Sequence, residues 1–197
     1  LALLAEVDSI SDLIALMFWV KRPGARVTYA TSGVGSADHL LMELFRQALR
    51  IEATHHPTDG TAPLVQALVD GQVAQVGFAN IGPLLPHVRA GRLRAIMIAS
   101  NRRSPLLPDV PTAAESGQRS FVIESWHAIQ APPAMPAPLQ ARVHAAVTGA
   151  LREPDAVQRL AEVGYTAVAS TPQEFSAFQA REIARWRRVV EASNIAG

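Results

Sequence analysis

Val27-Thr-Tyr-Ala-Thr-Ser-Gly-Val-Gly-Ser-Ala-Asp-His-Leu40 is the stretch on which the reading of this chain turns. A short β-type run breaks at a Ser/Gly loop and opens at once into an amphipathic helix carrying Leu40, Leu41, Leu44, Phe45 and Ala48. Such a junction aims free backbone N–H groups and the positive end of a helix dipole at one small volume. That volume suits an anion, most simply a carboxylate or a phosphate. Thr31, Ser32 and Ser36 offer hydroxyls, and Gly33, Val34, Gly35 and Ser36 offer amides. Gly33 and Gly35 permit positive φ and close backbone approach. The loop is not of the Walker type, because no Lys follows the second Gly, and it is not GxGxxG. A plain strand-to-helix turn with Ser36 as N-cap would use the same residues, so the local sequence leaves both readings open.

Outward from this loop, strand and helix signals alternate. Strands are expected at 27–30, 51–55, 73–78 and 93–99. Helices are expected at 36–49, around Leu64, Val65, Leu68 and Val69, and at 81–90, with Gly71 and Gly91 as stops. Ahead of them, Leu13, Ile14, Met17 and Phe18 fit one helical face, ended by Pro23-Gly24. Strands separated by helices of this length imply crossover connections and a largely parallel α/β sheet. Beyond residue 101 the texture changes. A proline-rich loop (102–111) leads to the capping box Thr112-Ala-Ala-Glu115, expected to start a short helix closed by Gly117, then to an extended run at 121–130 and a stiff Pro-rich segment at 132–138. Two helices follow, the last opened by the capping box Thr171-Pro-Gln-Glu174 and lined by Phe175, Phe178, Ile183, Trp186 and Val190. Residues 10–125 thus read as one α/β ligand-binding lobe. Residues 126–197 are too thin for a sheet of their own and read as a return segment and C-terminal helices belonging to an incomplete first lobe, with 10–125 as the second lobe.

Two further loops join the first as candidate anion ligands. Gly60, Thr61 and Ala62 open the next helix, with Thr61 as its cap, and Asn80 ends a third strand with a side chain that both donates and accepts. If strand order brings these ends together at the carboxyl edge, all three converge on one crevice. A plain cap and a turn residue are the competing readings.

Composition narrows the classes. The chain is 49% hydrophobic and 18% charged, with net charge +1, so no overall field favours nucleic acid or an acidic membrane. Lys21 is the only lysine. The absence of cysteine excludes disulfides, thiolate metal sites and a cysteine nucleophile. No apolar run reaches membrane-spanning length. The opening Leu1-Ala-Leu-Leu-Ala-Glu lacks an initiator Met and a basic leader, so the chain reads as a fragment or processed product. The six histidines, His39, His55, His56, His87, His127 and His144, show no metal-ligand spacing. His39 lies one helical turn past Ser36 and is expected to pack beneath the anion loop. No G-x-S-x-G elbow is present, and alternation sends the neighbours in Glu124-Ser125-Trp126-His127 to opposite faces. No catalytic residue, cofactor or metal is expected, and the protein is read as a binder rather than an enzyme.

The order of these motifs resembles the substrate-binding receptors of tripartite tricarboxylate transporters, the Bordetella uptake gene (Bug) family. The resemblance is carried by Tyr29-Ala-Thr-Ser-Gly-Val-Gly-Ser36 with His39, Glu43, Leu44 and Phe45; by Gly60-Thr-Ala-Pro63, Gly71-Gln-Val73 and Pro86-His-Val-Arg-Ala-Gly-Arg-Leu-Arg-Ala95; by Arg103-Ser-Pro-Leu-Leu-Pro-Asp-Val-Pro-Thr112 with Glu115 and Gly117; and by Ser125-Trp126, Ala131-Pro132 and Thr171-Pro-Gln-Glu-Phe175. It implies a periplasmic type II binding-protein clamshell, here lacking its N-terminal part, that takes up a small organic acid and docks on a membrane permease without entering the membrane. The ligand carboxylate would be held by backbone amides, hydroxyls and water, with residues 31–36, 60–62 and Asn80 as this lobe's share. Where the family usually has an aromatic and a basic residue, this chain has Thr58-Asp59, and it has Ala74 and Ala79 near positions that are often Asp. A second reading is the effector-binding domain of a transcription regulator with the same architecture.

Overall fold

A computed structural model describes residues 1–5, 12–123, 125–193 and 195. The chain divides into two compact units, Leu1–Ser125 with Val189–Gly197, and Trp126–Arg188.

The first unit is built on a five-stranded sheet of β1 (Ala2–Ala5), β2 (Val27–Thr31), β3 (Ala53–Pro57), β4 (Val76–Ala79) and β5 (Arg94–Ile98), in the order β3-β2-β4-β1-β5. β2 runs parallel to β3 and β4, whereas β1 is antiparallel to both of its neighbours. The sequence reading starts this lobe at residue 10, which lies outside the described residues, but the sheet takes in Ala2–Ala5 as well. β1 escaped notice because Leu1-Ala-Leu-Leu-Ala has no alternation. Ala2, Leu3 and Leu4 are all fully buried, and a strand covered on both faces reads as a plain apolar run.

The helices divide between the two faces. α2 (Ala37–Leu49) lies over the face that carries Leu3 and Phe78, where Phe45 packs edge-on to Phe78 at 6.1 Å and against Phe121 at 5.3 Å. α3 (Thr61–Asp70) and α4 (Ile81–Arg89) cover the other face, where Leu64, Leu68, Leu84 and Leu85 enclose Leu4, Ala30 and Ile98. α1 (Leu13–Lys21) is capped by Asp12, whose carboxylate accepts from Ala15 N–H at 2.9 Å. Its buried face is Leu13, Leu16 and Val20, not the expected 13, 14, 17, 18 set. Ile14 and Phe18 are 66% and 76% exposed. The apolar residues surround this helix, so periodicity alone could not choose the face.

The second unit holds α5 (Ala137–Arg152), α6 (Pro154–Glu162) and the greater part of α7 (Pro172–Ser193). Where two helices were expected there are three. Glu153 breaks the first, and Pro154 restarts the chain in a favoured first-turn position. The capping box at Thr171 forms as read, with Thr171 N–H donating to Glu174 at 2.8 Å and Glu174 N–H to Thr171 Oγ1 at 3.2 Å. The box at Thr112 and Glu115 also closes, but it sets a turn rather than a helix. The run expected to be extended at 121–130 begins at the end of a short 3-10 turn (Arg119–Phe121), and Glu124 within it lies outside the described residues. Trp126 packs edge-on against Phe175 and Phe178 at 5.6 and 5.5 Å.

Gly77 marks the tightest point of the sheet. A Cβ there would stand 2.9 Å from the Ala30 carbonyl oxygen and 3.3 Å from Leu68. Gly77→Ala is expected to destabilise the protein by about 1–3 kcal/mol. The check is a lowered urea midpoint at unchanged slope, and an unchanged midpoint would contradict this packing.

Candidate functional site

Because β3 and β4 flank β2 and both run parallel to it, the carboxyl ends of all three share one edge. Each end feeds a helix: residues 32–36 lead into α2, 58–60 into α3, and Asn80 into α4. The first two loops are joined beyond the sheet. Thr58 N–H donates to Thr31 O at 2.9 Å and Gly60 N–H to Ser32 O at 3.0 Å, while Thr58 Oγ1 reaches both Thr31 O and Gly60 O at 2.9 Å. The sequence-derived residues of these loops therefore do assemble, and Asn80 stands at the same edge.

The loop is anchored from below by the first turn of α2. The buried Asp38 carboxylate accepts from Ser32 N–H at 2.5 Å and from Ser32 Oγ at 2.7 Å. His39 Nδ1 accepts from Gly35 N–H at 3.0 Å. Ser36 caps α2 through its hydroxyl, accepting from His39 N–H at 3.3 Å and donating to Gly33 O at 2.6 Å, and its own N–H also turns back to Gly33 O at 3.3 Å. Thr31 is fully buried, with Oγ1 2.6 Å from His55 Nε2. Of the amides that the sequence offers here, those of Ser32, Gly35 and Ser36 are thus taken internally. Those of Gly33 and Val34 have no partner among the described residues. Gly33, at φ +145, and Gly35, at φ +77, adopt backbone open chiefly to glycine.

At the second loop, Gly60 rather than Thr61 is the N-cap, at φ +115 with no side-chain cap. The hydroxyl that fixes this turn belongs to Thr58. Thr61 and Ala62 begin α3, where backbone N–H groups have no intrahelical acceptor. Asn80 is the N-cap of α4 without using its side chain as a cap. The edge accordingly presents three helix N-termini and no Lys or Arg in the loops themselves.

Beneath the loop lies a stack that sequence reasoning located only in part. Tyr29 and His55 are directly paired across β2 and β3, with rings stacked at 4.9 Å, and His39 stacks on His55 at 4.0 Å. Tyr29 OH donates to the buried Glu43 at 2.6 Å, and Glu43 is bridged to Arg46 at 2.8 Å. Burial opposes ionisation of Glu43, but hydrogen bonds from Arg46 and Tyr29 outweigh it and hold the carboxyl below its usual range. Burial, then the Glu43 carboxylate, pushes the Tyr29 phenol up. Burial, then the neighbouring His39 ring, pushes His55 down to about 4, and burial also lowers His39. The stack floors an open groove of about 460 Å³ that meets the loop only at Val34 and is bounded by Ser193 and Ile195. Arg46 also lines this groove, but its guanidinium is paired with the Glu43 carboxylate, so the groove offers an anion less than the free amides at the edge.

Among the described residues no cluster of three or more His, Cys, Asp or Glu is placed to hold a metal, and no helix is long and apolar enough to cross a membrane.

The family model for the tripartite tricarboxylate transporter family receptor (TctC) matches residues 1–195. The chain belongs to this receptor family. It is 37% identical to the protein BugT of Bordetella pertussis over 185 residues, 94% of this chain and 56% of BugT. It is 29% identical to an Agrobacterium vitis UPF0065 protein over 188 residues, 94% of this chain and 53% of that one. The chain thus spans about half the length of these curated relatives. A solved R. palustris protein with adipate superposes with a TM-score of 0.88 at 27% identity, covering 99% of this chain and 66% of its own. MatC from Rhodopseudomonas palustris with bound malate gives 0.85 at 33%, covering 96% and 65%. The α/β receptor fold is therefore that of the TctC family, and membership favours a receptor over a regulator's effector domain.

The stack makes stability pH-dependent. A histidine with a folded-state pKa below its unfolded value of about 6.5 costs stability as pH falls between the two, because the unfolded chain takes up a proton that the native ring refuses. Stability is expected to decline from about pH 6.5 towards about 4. His55→Gln, which keeps a polar partner for Thr31, should flatten that decline in urea titrations run across the window. A slope unchanged by the substitution would show that His55 does not carry it.

Proposed function

We propose that this protein is an extracytoplasmic solute receptor for a small organic carboxylate, serving a tripartite tricarboxylate-type transporter. One ligand carboxylate sits on the Gly33 and Val34 amides, with the α3 start at Thr61 and Ala62 and the Asn80 side chain completing the ring of donors. The observation carrying this reading is that two amides without a partner among the described residues lie between two anchored ones, at the edge that also carries three helix N-termini. Aligned peptide dipoles stabilise a negative charge without a fixed cation. Family membership and the carboxylates in the R. palustris structures support the same ligand class. The hydroxyls of Thr31, Ser32 and Ser36 are engaged within the protein, so their part is to shape the loop, with water bridging any remaining gap. The receptor works in the periplasm, binds without turnover, needs no cofactor, and delivers its ligand to a membrane permease.

A thermal-shift and calorimetry panel of malate, adipate, citrate and uncharged analogues tests the ligand class. A dicarboxylate or tricarboxylate is expected to raise the melting temperature while its amide analogue does not. Gly33→Ala, which strains the backbone between the two open amides, should weaken binding by about tenfold or more. No response to any organic acid would refute the reading.

A further inference from the structure

We propose that His39 is the positioning residue of the anion loop, and that uptake of a proton at its Nδ1 releases the loop and weakens ligand capture in acid. This rests on the reading of residues 31–36 as the ligand loop. The two open amides, Gly33 and Val34, lie between two tethers: Asp38 holds Ser32, and His39 holds Gly35. Asp38 offers two oxygens to two donors, so its end of the loop is doubly held. At the other end Ser36 holds the Gly33 carbonyl through its hydroxyl and N–H, and the Val34–Gly35 peptide is held by one bond, Gly35 N–H to His39 Nδ1 at 3.0 Å, on an exposed glycine at φ +77. A ring nitrogen accepts only when it carries no proton. Protonation would set an N–H against an N–H, and that bond must break.

The ring cannot turn aside to avoid this. His39 is 5% exposed, and His55 lies flat against it at 4.0 Å with an interplanar angle of 14°. Charged and titratable groups surround it on each packed element. On α2 these are Asp38 and Glu43, the latter paired with Arg46; on β2, Tyr29; on β3, His55. The two carboxylates draw a proton towards the imidazole. Burial opposes them and prevails, so the ring is neutral near pH 7 and titrates below the ordinary histidine range. A positive ring under the loop would by itself attract an anion. Loss of the Gly35 tether acts the other way: it frees the Val34–Gly35 peptide and leaves the donor amides positioned only by the bonds to Ser32 O and Gly33 O, and the proposal is that this loss dominates.

The test follows Gly35 amide exchange protection and the His39 ring shifts by NMR from about pH 7.5 downward until the ring shifts level off, without ligand, in the wild type, His39→Asn and His39→Ala. Asparagine places a non-titrating acceptor oxygen near the position of Nδ1. Wild-type protection should fall about tenfold in step with His39 protonation. In His39→Asn it should stay constant, and in His39→Ala it should be low throughout. In parallel, malate affinity in the wild type should fall about fivefold or more relative to His39→Asn over the same range; the acid's own titration is common to both proteins. Gly35 protection that ignores His39 protonation overturns the inference, as does malate affinity with the same pH profile in wild type and His39→Asn, or higher affinity in acid. Malate binding with pH-independent Gly35 protection would sink the positioning role and leave the receptor reading intact. Gly35 protection that tracks His39, with no organic acid bound at any pH, would do the reverse.

Discussion

The carboxyl edge is held by backbone hydrogen bonds that continue past the end of the sheet. Thr58 N–H to Thr31 O and Gly60 N–H to Ser32 O extend the pairing of β2 and β3 into the loops that follow them. Two loops that would otherwise wander independently become one surface. Helices α2 and α3, on opposite faces, then bring their N-termini to that surface. Without this extension the amides of Gly33 and Val34 would have no defined direction relative to Thr61 and Ala62. Buried side chains supply the rest of the order. Asp38 and His39 fix the loop from beneath, and the rings of His39, His55 and Tyr29 fix His39.

Much of this was legible in the sequence, for identifiable reasons. A strong β-type run followed by a Ser/Gly loop and an amphipathic pattern placed β2 and α2 closely, whereas β4 begins three residues later than its apolar run suggested. Parallel order then forced the three loops to one edge. Other features were invisible to local patterns. β1 is an unpunctuated apolar run, and its antiparallel place between β4 and β5 depends on partners distant in the chain. The buried face of α1 could not be chosen, because apolar residues surround the helix. Asp38 reads as an ordinary acidic first-turn residue, yet its carboxylate occupies the Ser32 donors that the sequence offered to a ligand. The Thr58 hydroxyl, not that of Thr61, turned out to fix the second loop. The His39–His55 stack needed the β2/β3 register, which pairs Tyr29 with His55 and which no spacing in the sequence announces.

The arrangement separates charge from recognition. The ionised groups nearest the loop are satisfied by protein partners: Asp38 by Ser32, and Glu43 by Tyr29 and Arg46. Apart from the exposed Asp59 of the second loop, the edge presents neutral dipoles. On the proposed reading, such a site would discriminate by geometry and by the number of donors met, rather than by a salt bridge.

The central claim is that the open amides between the Ser32 and Gly35 tethers receive a carboxylate. Amide chemical shifts of the ¹⁵N-labelled protein titrated with malate and adipate test it most directly. The account predicts the largest downfield shifts at Gly33 and Val34, followed by Thr61 and Ala62. Perturbations confined instead to the groove around Tyr29, Glu43 and His55 would contradict it.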